Sequence, residues 1–268
     1  MKTASACTPP RRLDRLSALI ERFRILAQVI QLDDAIEERG GLFVFRNAEG
    51  RMRLAFSPNR QPGDIPCDSE RVQSGETLAA AARISVSGAG DHLIAALPKC
   101  IAIELDDAPD IAAVVLPLVA EIERPRCGGQ AVVHRLSEIV VIRLLRHALE
   151  TGAADFGALA GLSHPRLARA IVAIHEHPET AWSLESLAEE AGMSRTQFAV
   201  SFKDTVGMTP GAYLSNWRLD MARAELEGGE QVGKVARMCG FASPAAFSRA
   251  FARRFGHTPK AERRKVVA

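Results

Sequence analysis

Apolar residues recur along this chain with two different periods, and each change of period marks a change of architecture. Leu16, Leu19, Ile20, Phe23, Leu26, Ala27 and Ile30 are spaced three and four apart. That spacing predicts an amphipathic helix over Leu13–Gln31, with Asp14 and Glu21 on its polar side. After Gly40-Gly41 the runs become short. Leu42–Phe45 and Met52–Phe56 read as strands joined by a hairpin-like turn at Asn47–Gly50. Ser57–Gln73, with Pro58, Pro62, Gly63 and Pro66, reads as loop, and further strands are expected at Leu78–Val86, Leu93–Leu97 and Cys100–Leu105. From Asp107 the helical period returns. Pro109–Arg124 and Gln130–Glu150 carry wide apolar stripes and, separated by Pro125–Gly129, predict a helix hairpin. Gly152–Gly161 is small and alanine-rich and reads as an interdomain linker. Everything after Ser163 reads as helical, with turns at Gly192, Gly207, Gly228-Gly229, Gly240 and Gly256. The pattern predicts an α+β protein: a small antiparallel β-domain with a helix hairpin over 1–155, then an all-α domain over 163–268.

The last third repeats itself. Leu187-Ala188-Glu189-Glu190-Ala191-Gly192-Met193-Ser194 leads to Phe198, Phe202, Gly207, Thr209 and Pro210. Val235-Ala236-Arg237-Met238-Cys239-Gly240-Phe241 leads to Phe247, Phe251, Gly256, Thr258 and Pro259. In both copies Ala and Gly stand four apart, the two Phe four apart, and the second Phe five before the closing Gly. This is the spacing of a helix-turn-helix. A small residue (Ala188, Ala236) lets the second helix cross closely, and a glycine (Gly192, Gly240) supplies the positive φ of the turn. A serine (Ser194, Ser243) then caps the second helix, with Pro244 at the first helical position of the second copy. The paired Phe residues bury one face of each second helix, which leaves the opposite face free to enter a major groove.

Charge strengthens that reading. The 268 residues carry a net charge of only +2. From Arg195 onward, however, 13 Lys+Arg stand against 6 Asp+Glu, a surplus of seven on a body with a deficit of five. A basic domain on an acidic body points to a polyanion, with nucleic acid the first candidate. Hydrophobic residues at 47% and charged residues at 25% argue against wholesale disorder. The longest apolar runs, such as Ile111–Ala120, are short of the ~20 residues that cross a bilayer. The first residues hold no apolar segment of a secretory signal, so a cytoplasmic protein with no membrane partner is expected. Cys7, Cys67, Cys100, Cys127 and Cys239 are scattered, form no CxxC, and read most simply as small apolar residues.

The segments LESLAEEAGMSRTQFAVSFKDTVGMTPGAYLSNWRLDMARAEL and VARMCGFASPAAFSRAFARRFGHTPKAERR resemble the C-terminal DNA-binding domain of AraC/XylS-type transcription regulators. Gly240-Phe241, Phe247-Ser248-Arg249-Ala250-Phe251, and Phe255-Gly256 with Thr258-Pro259 are the most specific parts, and the likeness runs over about Pro165–Arg264. The resemblance implies two helix-turn-helix units joined by a long helix, here about Pro210–Glu227. It also implies two recognition helices in successive major grooves on one face of double-stranded promoter DNA. The chain departs from the family in two places. Glu262, not a tyrosine, precedes Arg263-Arg264, and Val200 stands where some relatives carry arginine.

On the first recognition helix Arg195 and Thr196 can reach base edges, while Ala199 and Val200 can only pack on thymine methyls. On the second, Ala245, Ser248 and Arg249 form the matching face, and Arg249 can grip guanine in two places. Lys203, Arg218, Lys234, Arg253 and Arg254 suit phosphate contacts, Arg218 being equally suited to a network within the linker helix. Trp217 and Phe241 read as core.

The first half is similar to those members of the family whose N-terminal domain is cupin-like, implying a sensory or dimerising role. The β-region is short for a complete barrel and offers only His92, so neither a metal nor another cofactor is expected. His134 and His147 read as exposed or partly packed. His175 and His177 flank a helix end, where a cationic ring suits the dipole. Surplus apolar positions on the helix hairpin suggest a homodimer. Cys67 and Cys100 are candidate redox-sensing thiols, although Asp64, Asp68 and Lys99 give no clear push on the thiol. No nucleophile–base set, GxSxG or phosphate loop is readable, so no enzyme activity is expected. The leading reading is a DNA-binding transcriptional regulator, which would touch RNA polymerase if it activates and answers an effector the sequence does not name. A protein-interaction adaptor with a degenerate DNA-binding domain is the alternative.

Overall fold

Leu42, Val44, Leu54 and Phe56 put alternate side chains on one face of a sheet that the helices cover, and the rest of the N-terminal half is arranged around that face. In the computed structural model, residues 13–21, 23–29, 41–57, 75–88, 99–153 and 156–264 are described. Strands β1 (Phe23–Val29), β2 (Gly41–Arg46), β3 (Met52–Ser57), β4 (Thr77–Gly88) and β5 (Ile101–Glu104) form one antiparallel sheet in the order β1-β4-β2-β3-β5. Register explains the layering. Leu42 pairs with Phe56 and Ala82, Val44 with Leu54 and Ala80, and Leu54 with Ile103, all within the main core. The other face carries Phe43, Phe45, Ala55 and Ala81, a second small apolar cluster. The hairpin turn falls at Asn47–Gly50 as expected, with Asn47 accepting from the backbone N–H of Glu49 and Arg51.

The expected helix over Leu13–Gln31 is corrected. Helix α1 is confined to Ser17–Ile20, and Phe23–Val29 is a strand paired with β4 from Phe23↔Gly88 to Val29↔Ala82. The segment also alternates at Phe23, Ile25, Ala27 and Val29, so it satisfies both periods. The unfilled edge of β4 decides between them, because pairing there satisfies the backbone groups of both strands. Asp14 holds the start of α1 by accepting from Ser17 Oγ at 2.6 Å and from the Ser17 backbone N–H at 2.9 Å. Those bonds, led by the hydroxyl, hold its carboxyl below the usual range. The strand expected at Leu93–Leu97, His92, Cys67 and most of the Ser57–Gln73 loop lie outside the described residues.

The hairpin is α2 (Pro109–Glu123) and α3 (Gly129–Thr151), within two residues of expectation. Its turn is closed by Glu121, buried, which accepts from Arg126 Nη2 at 2.6 Å and from the Arg126 backbone N–H at 3.1 Å. Gly152–Gly161, expected as linker, is only partly loop. Helix α4 (Ala158–Ser163) is buried, with Leu159 and Leu162 at 0% exposure. It fits between the two halves. Arg15 Nη1 donates to Leu162 O at 3.0 Å, Ser163 Oγ donates to Leu149 O at 3.4 Å, and Gly161 lies against Ile171 and Val206. Helix α5 (Leu167–Glu176) follows. Its His175 is not a cap on the dipole but interior: it hydrogen-bonds Tyr213 Oη at 2.7 Å and stacks on Trp217 with ring centroids 4.0 Å apart. His177 is exposed, and His134 and His147 are partly exposed. Among the described residues no helix is long and apolar enough to cross a membrane, and no group of three or more His, Cys, Asp or Glu is placed to hold a metal ion.

One charged pair is built into the sheet. Arg53, 2% exposed, donates to Glu76 through Nη2 (2.5 Å) and Nε (3.2 Å) and lies over the Phe45 ring at 4.8 Å. Removing one partner of a buried pair leaves a charge without compensation, at a cost of about 3–5 kcal/mol. Urea denaturation is expected to show Glu76→Ala losing stability on that scale, while the double replacement Arg53→Met/Glu76→Leu recovers most of it.

Candidate nucleic-acid interface

Each turn device read from the repeat is present. In the first unit α6 (Leu184–Glu190) is capped by Ser183, whose hydroxyl accepts from the Ser186 N–H at 3.0 Å. The chain turns at Gly192 (φ +61°), and Ser194 caps α7 (Arg195–Val206) by accepting from the Gln197 N–H at 3.3 Å. Thr209 then caps the long helix α8 (Pro210–Glu227). In the second unit α9 (Val232–Met238) turns at Gly240 (φ +70°) into α10 (Pro244–Phe255), capped by Ser243 accepting from the Ala246 N–H at 3.1 Å. Helix α11 (Pro259–Arg264) closes the domain. Ala188 and Ala236 are buried where the helices cross, and Phe198, Phe202, Phe247 and Phe251 have no exposed surface. Within each pair the rings meet edge to face, with centroids 5.5 and 5.6 Å apart.

With these faces buried, the opposite faces reach solvent. On α7, Arg195, Thr196, Val200 and Lys203 are exposed and Ala199 is half-buried. On α10, Ala245, Arg249 and Arg253 are exposed and Ser248 is half-buried. Gln197, exposed on α7 and three residues before Val200, was missed by the sequence reading, although helical phase counted from Phe198 places it on that face. Its amide suits adenine. Arg237 on α9 and Lys260 on α11 are further exposed cations.

The expected phosphate contacts divide into two groups. Lys203 and Arg253 are exposed, as is Lys234, which pairs with Glu230 at 2.8 Å. Arg218 and Arg254, both partly exposed, are engaged by other groups of the protein. Arg218 Nε donates to Pro178 O at 2.6 Å and its Nη2 to Thr180 O at 2.8 Å, and burial pulls its pKa down. Arg254 Nη2 donates to Asp220 Oδ1 and Nη1 to Asn216 Oδ1, both at 2.8 Å, which fastens α10 to α8. Glu262, the departure at the family's tyrosine position, is 2% exposed and is held by Arg223 on α8 at 3.0 Å and by His257. It anchors α11 to α8. Trp217 is core, as expected, and Phe241 is partly buried against it. Among the cysteines, Cys239 is buried and Cys127 is exposed, and neither is in a disulfide. Cys100 is disulfide-bonded, which corrects its reading as a plain apolar residue.

Two stability predictions follow from this geometry. A Cβ at Gly192 would meet nothing within 4 Å, whereas one at Gly240 would lie 2.9 Å from both Cα and O of Glu179. Gly192→Ala is therefore expected to cost about 1–2 kcal/mol for its positive φ alone. Gly240→Ala should cost at least ~1 kcal/mol more because backbone must move, an order that thermal denaturation measures. Arg254→Ala is expected to destabilise by about 3 kcal/mol by stripping Asp220 of its guanidinium, while Arg249→Ala stays within about 0.5 kcal/mol of wild type.

Comparison with known proteins bears on both the N-terminal and the C-terminal part of the chain. A family described as Cupin matches residues 14–150, just over half of it, and a family described as Helix-turn-helix domain matches residues 187–265. An uncharacterized HTH-type transcriptional regulator of Haemophilus influenzae is 34% identical over 175 residues, 65% of this chain and 58% of that protein. The HTH-type transcriptional regulator AlkR of Acinetobacter baylyi is 36% identical over 176 residues, 64% of this chain and 58% of its own. The RCS-specific HTH-type transcriptional activator RclR of Escherichia coli is 44% identical over 110 residues, 40% of this chain and 38% of its own. The chain thus spans somewhat less than three-fifths of the first two relatives. With a cupin family matching just over half of the chain and two matched helix-turn-helix units behind it, the chain belongs to the cupin family and carries an AraC-type helix-turn-helix domain in its C-terminal part.

Proposed function

We propose that this chain is a sequence-specific transcriptional regulator that binds double-stranded promoter DNA through α7 and α10, under the control of its N-terminal half. The observation that carries the proposal is the matched pair of helices, each buried on one side by two phenylalanines and each open on the other with base-reading side chains. Arg195, Thr196, Ala199 and Val200 on α7, and Ala245, Ser248 and Arg249 on α10, read bases, and Lys203, Lys234 and Arg253 hold phosphates. The division of labour falls near the short helix α4, between a cupin-like unit over 1–155 and a DNA-binding unit over 163–268. The protein works in the cytoplasm and, as an activator, meets RNA polymerase. It does so as a homodimer, for which the exposed Leu116 (46%), Val132 (41%) and Ile139 (42%) of the hairpin offer an apolar surface.

A second reading, control by thiol oxidation, is favoured by the disulfide at Cys100. The name of the Escherichia coli relative, RCS-specific, is in line with it. Cys67, the other thiol singled out, lies outside the described residues. Mass spectrometry of the reduced protein before and after mild oxidant is expected to find Cys100 modified. An unmodified Cys100 ends this reading.

Footprinting against genomic fragments is expected to reveal a specific site, with affinity falling steeply as salt rises because counterions are released. Arg249→Ala should cost ~1–3 kcal/mol there and relax choice at one base pair. Sedimentation at micromolar concentration should show a dimer that Ile139→Glu dissociates, and a wild-type monomer would sink the dimer.

A further inference from the structure

The two helix-turn-helix units are repeats in fold but not in chemistry, and the centre of the exposed face is where they differ most in what they can read. Val200 stands midway between Phe198 and Phe202, and Arg249 midway between Phe247 and Phe251. Two residues along an α-helix is about 200° of rotation, so both project from the side opposite the buried rings. The exposures agree: Val200 is 55% exposed and Arg249 is exposed, while all four phenylalanines are at 0%. Both helices start from a serine cap at the same offset of four residues before the first phenylalanine, so the correspondence is structural as well as sequential.

Around Val200, one helical turn away on either side, stand Thr196, Gln197, Lys203 and Asp204, all exposed. An apolar centre therefore sits inside a polar rim. The thymine C5 methyl is the one apolar group that a base edge presents in the major groove. A purine there would set its N7 and 6-substituent against the valine without a partner, and cytosine would offer only a C5–H with no methyl to bury. Around Arg249 the corresponding neighbours are the small residues Ala245, Ala246 and Ala252, with the exposed Arg253, assigned above to phosphate, at the fourth place. These small residues let α10 approach closely and leave Arg249 as the long reader at the centre, with a fork matching guanine O6 and N7.

Building on the DNA-binding reading, we propose that the first unit selects a thymine through its methyl on Val200 while the second selects a guanine through Arg249.

The test uses the full-length chain and a library of random-sequence duplexes, from which bound DNA is selected and sequenced. The enriched duplex is then resynthesised with deoxyuridine replacing thymidine one position at a time, which removes only the methyl. Wild type is expected to lose affinity about fourfold at one thymine, the scale of one buried methyl group. Val200→Ala should bind the thymine and uracil duplexes alike. Val200→Arg should, in a fresh selection, move the preferred base at that position to guanine. Because position 200 is exposed, an unchanged thermal midpoint shows both variants folded. Indifference of wild type to every methyl, or an unchanged preference for Val200→Arg, overturns the proposal while leaving sequence-specific DNA binding in place. Failure to enrich any sequence removes the DNA-binding reading itself, and this proposal with it.

Discussion

The DNA-binding half depends on one repeated constraint: two phenylalanines a single helical turn apart, with no exposed surface, on each of two helices. A helix so anchored has no rotational freedom about its own axis, because turning it would expose two large rings to water. The residues on its far side are thereby aimed without any contact of their own. The alanines Ala188 and Ala236, the positive-φ glycines and the serine caps all serve this constraint, setting how closely and at what point each helix crosses its partner. Side chains on the open face are then free to vary, and Val200 and Arg249 occupy one place in the repeat with unlike chemistry.

The linker helix α8 is the second element on which geometry rests. Its polar residues work inward as much as outward. Asp220 and Asn216 hold Arg254 of α10, Arg223 holds Glu262 of α11, and Arg218 holds the carbonyls of Pro178 and Thr180 ahead of the first unit. Several arginines counted in the basic surplus therefore fix one helix relative to another. An ion pair of this kind stabilises little against an apolar substitute but fixes register, since its loss leaves a buried charge behind. The cations that remain exposed, among them Lys203, Arg249 and Arg253, are those open to a polyanion.

In the N-terminal half the sheet is apolar on both faces. Leu42, Val44, Leu54 and Phe56 meet the main core, and Phe43, Phe45, Ala55 and Ala81 form the second cluster. Arg53, paired with Glu76, sits beside Phe45 at the margin of that cluster. Helix α4 links this half to the reader: Gly161 lies against Ile171 and Val206, the last residue of α7, and Arg15 and Leu149 reach its far end.

The repeat, its turns and caps, the helix hairpin and the Leu42–Phe56 β-hairpin were legible in the sequence alone, because each is specified by residues within about four positions of one another or by a two-residue alternation, whereas the long helix over Pro210–Glu227 came from the family resemblance. The sequence also determined which side of α7 and α10 faces outward, since Phe198, Phe202, Phe247 and Phe251 declare the inner side. Only the tertiary structure decided that Phe23–Val29 is a strand, since its two competing periods are resolved by a partner, β4, that is remote in the chain. Likewise it placed helix α4 where small residues suggested a linker, and it gave Arg218 and Arg254 partners within the protein. Arg254 meets Asp220 across 34 positions, and Arg218 meets Pro178 across 40. A side chain's charge is legible locally, but whether that charge faces solvent or a buried carboxylate depends on packing between distant segments, which no local period records.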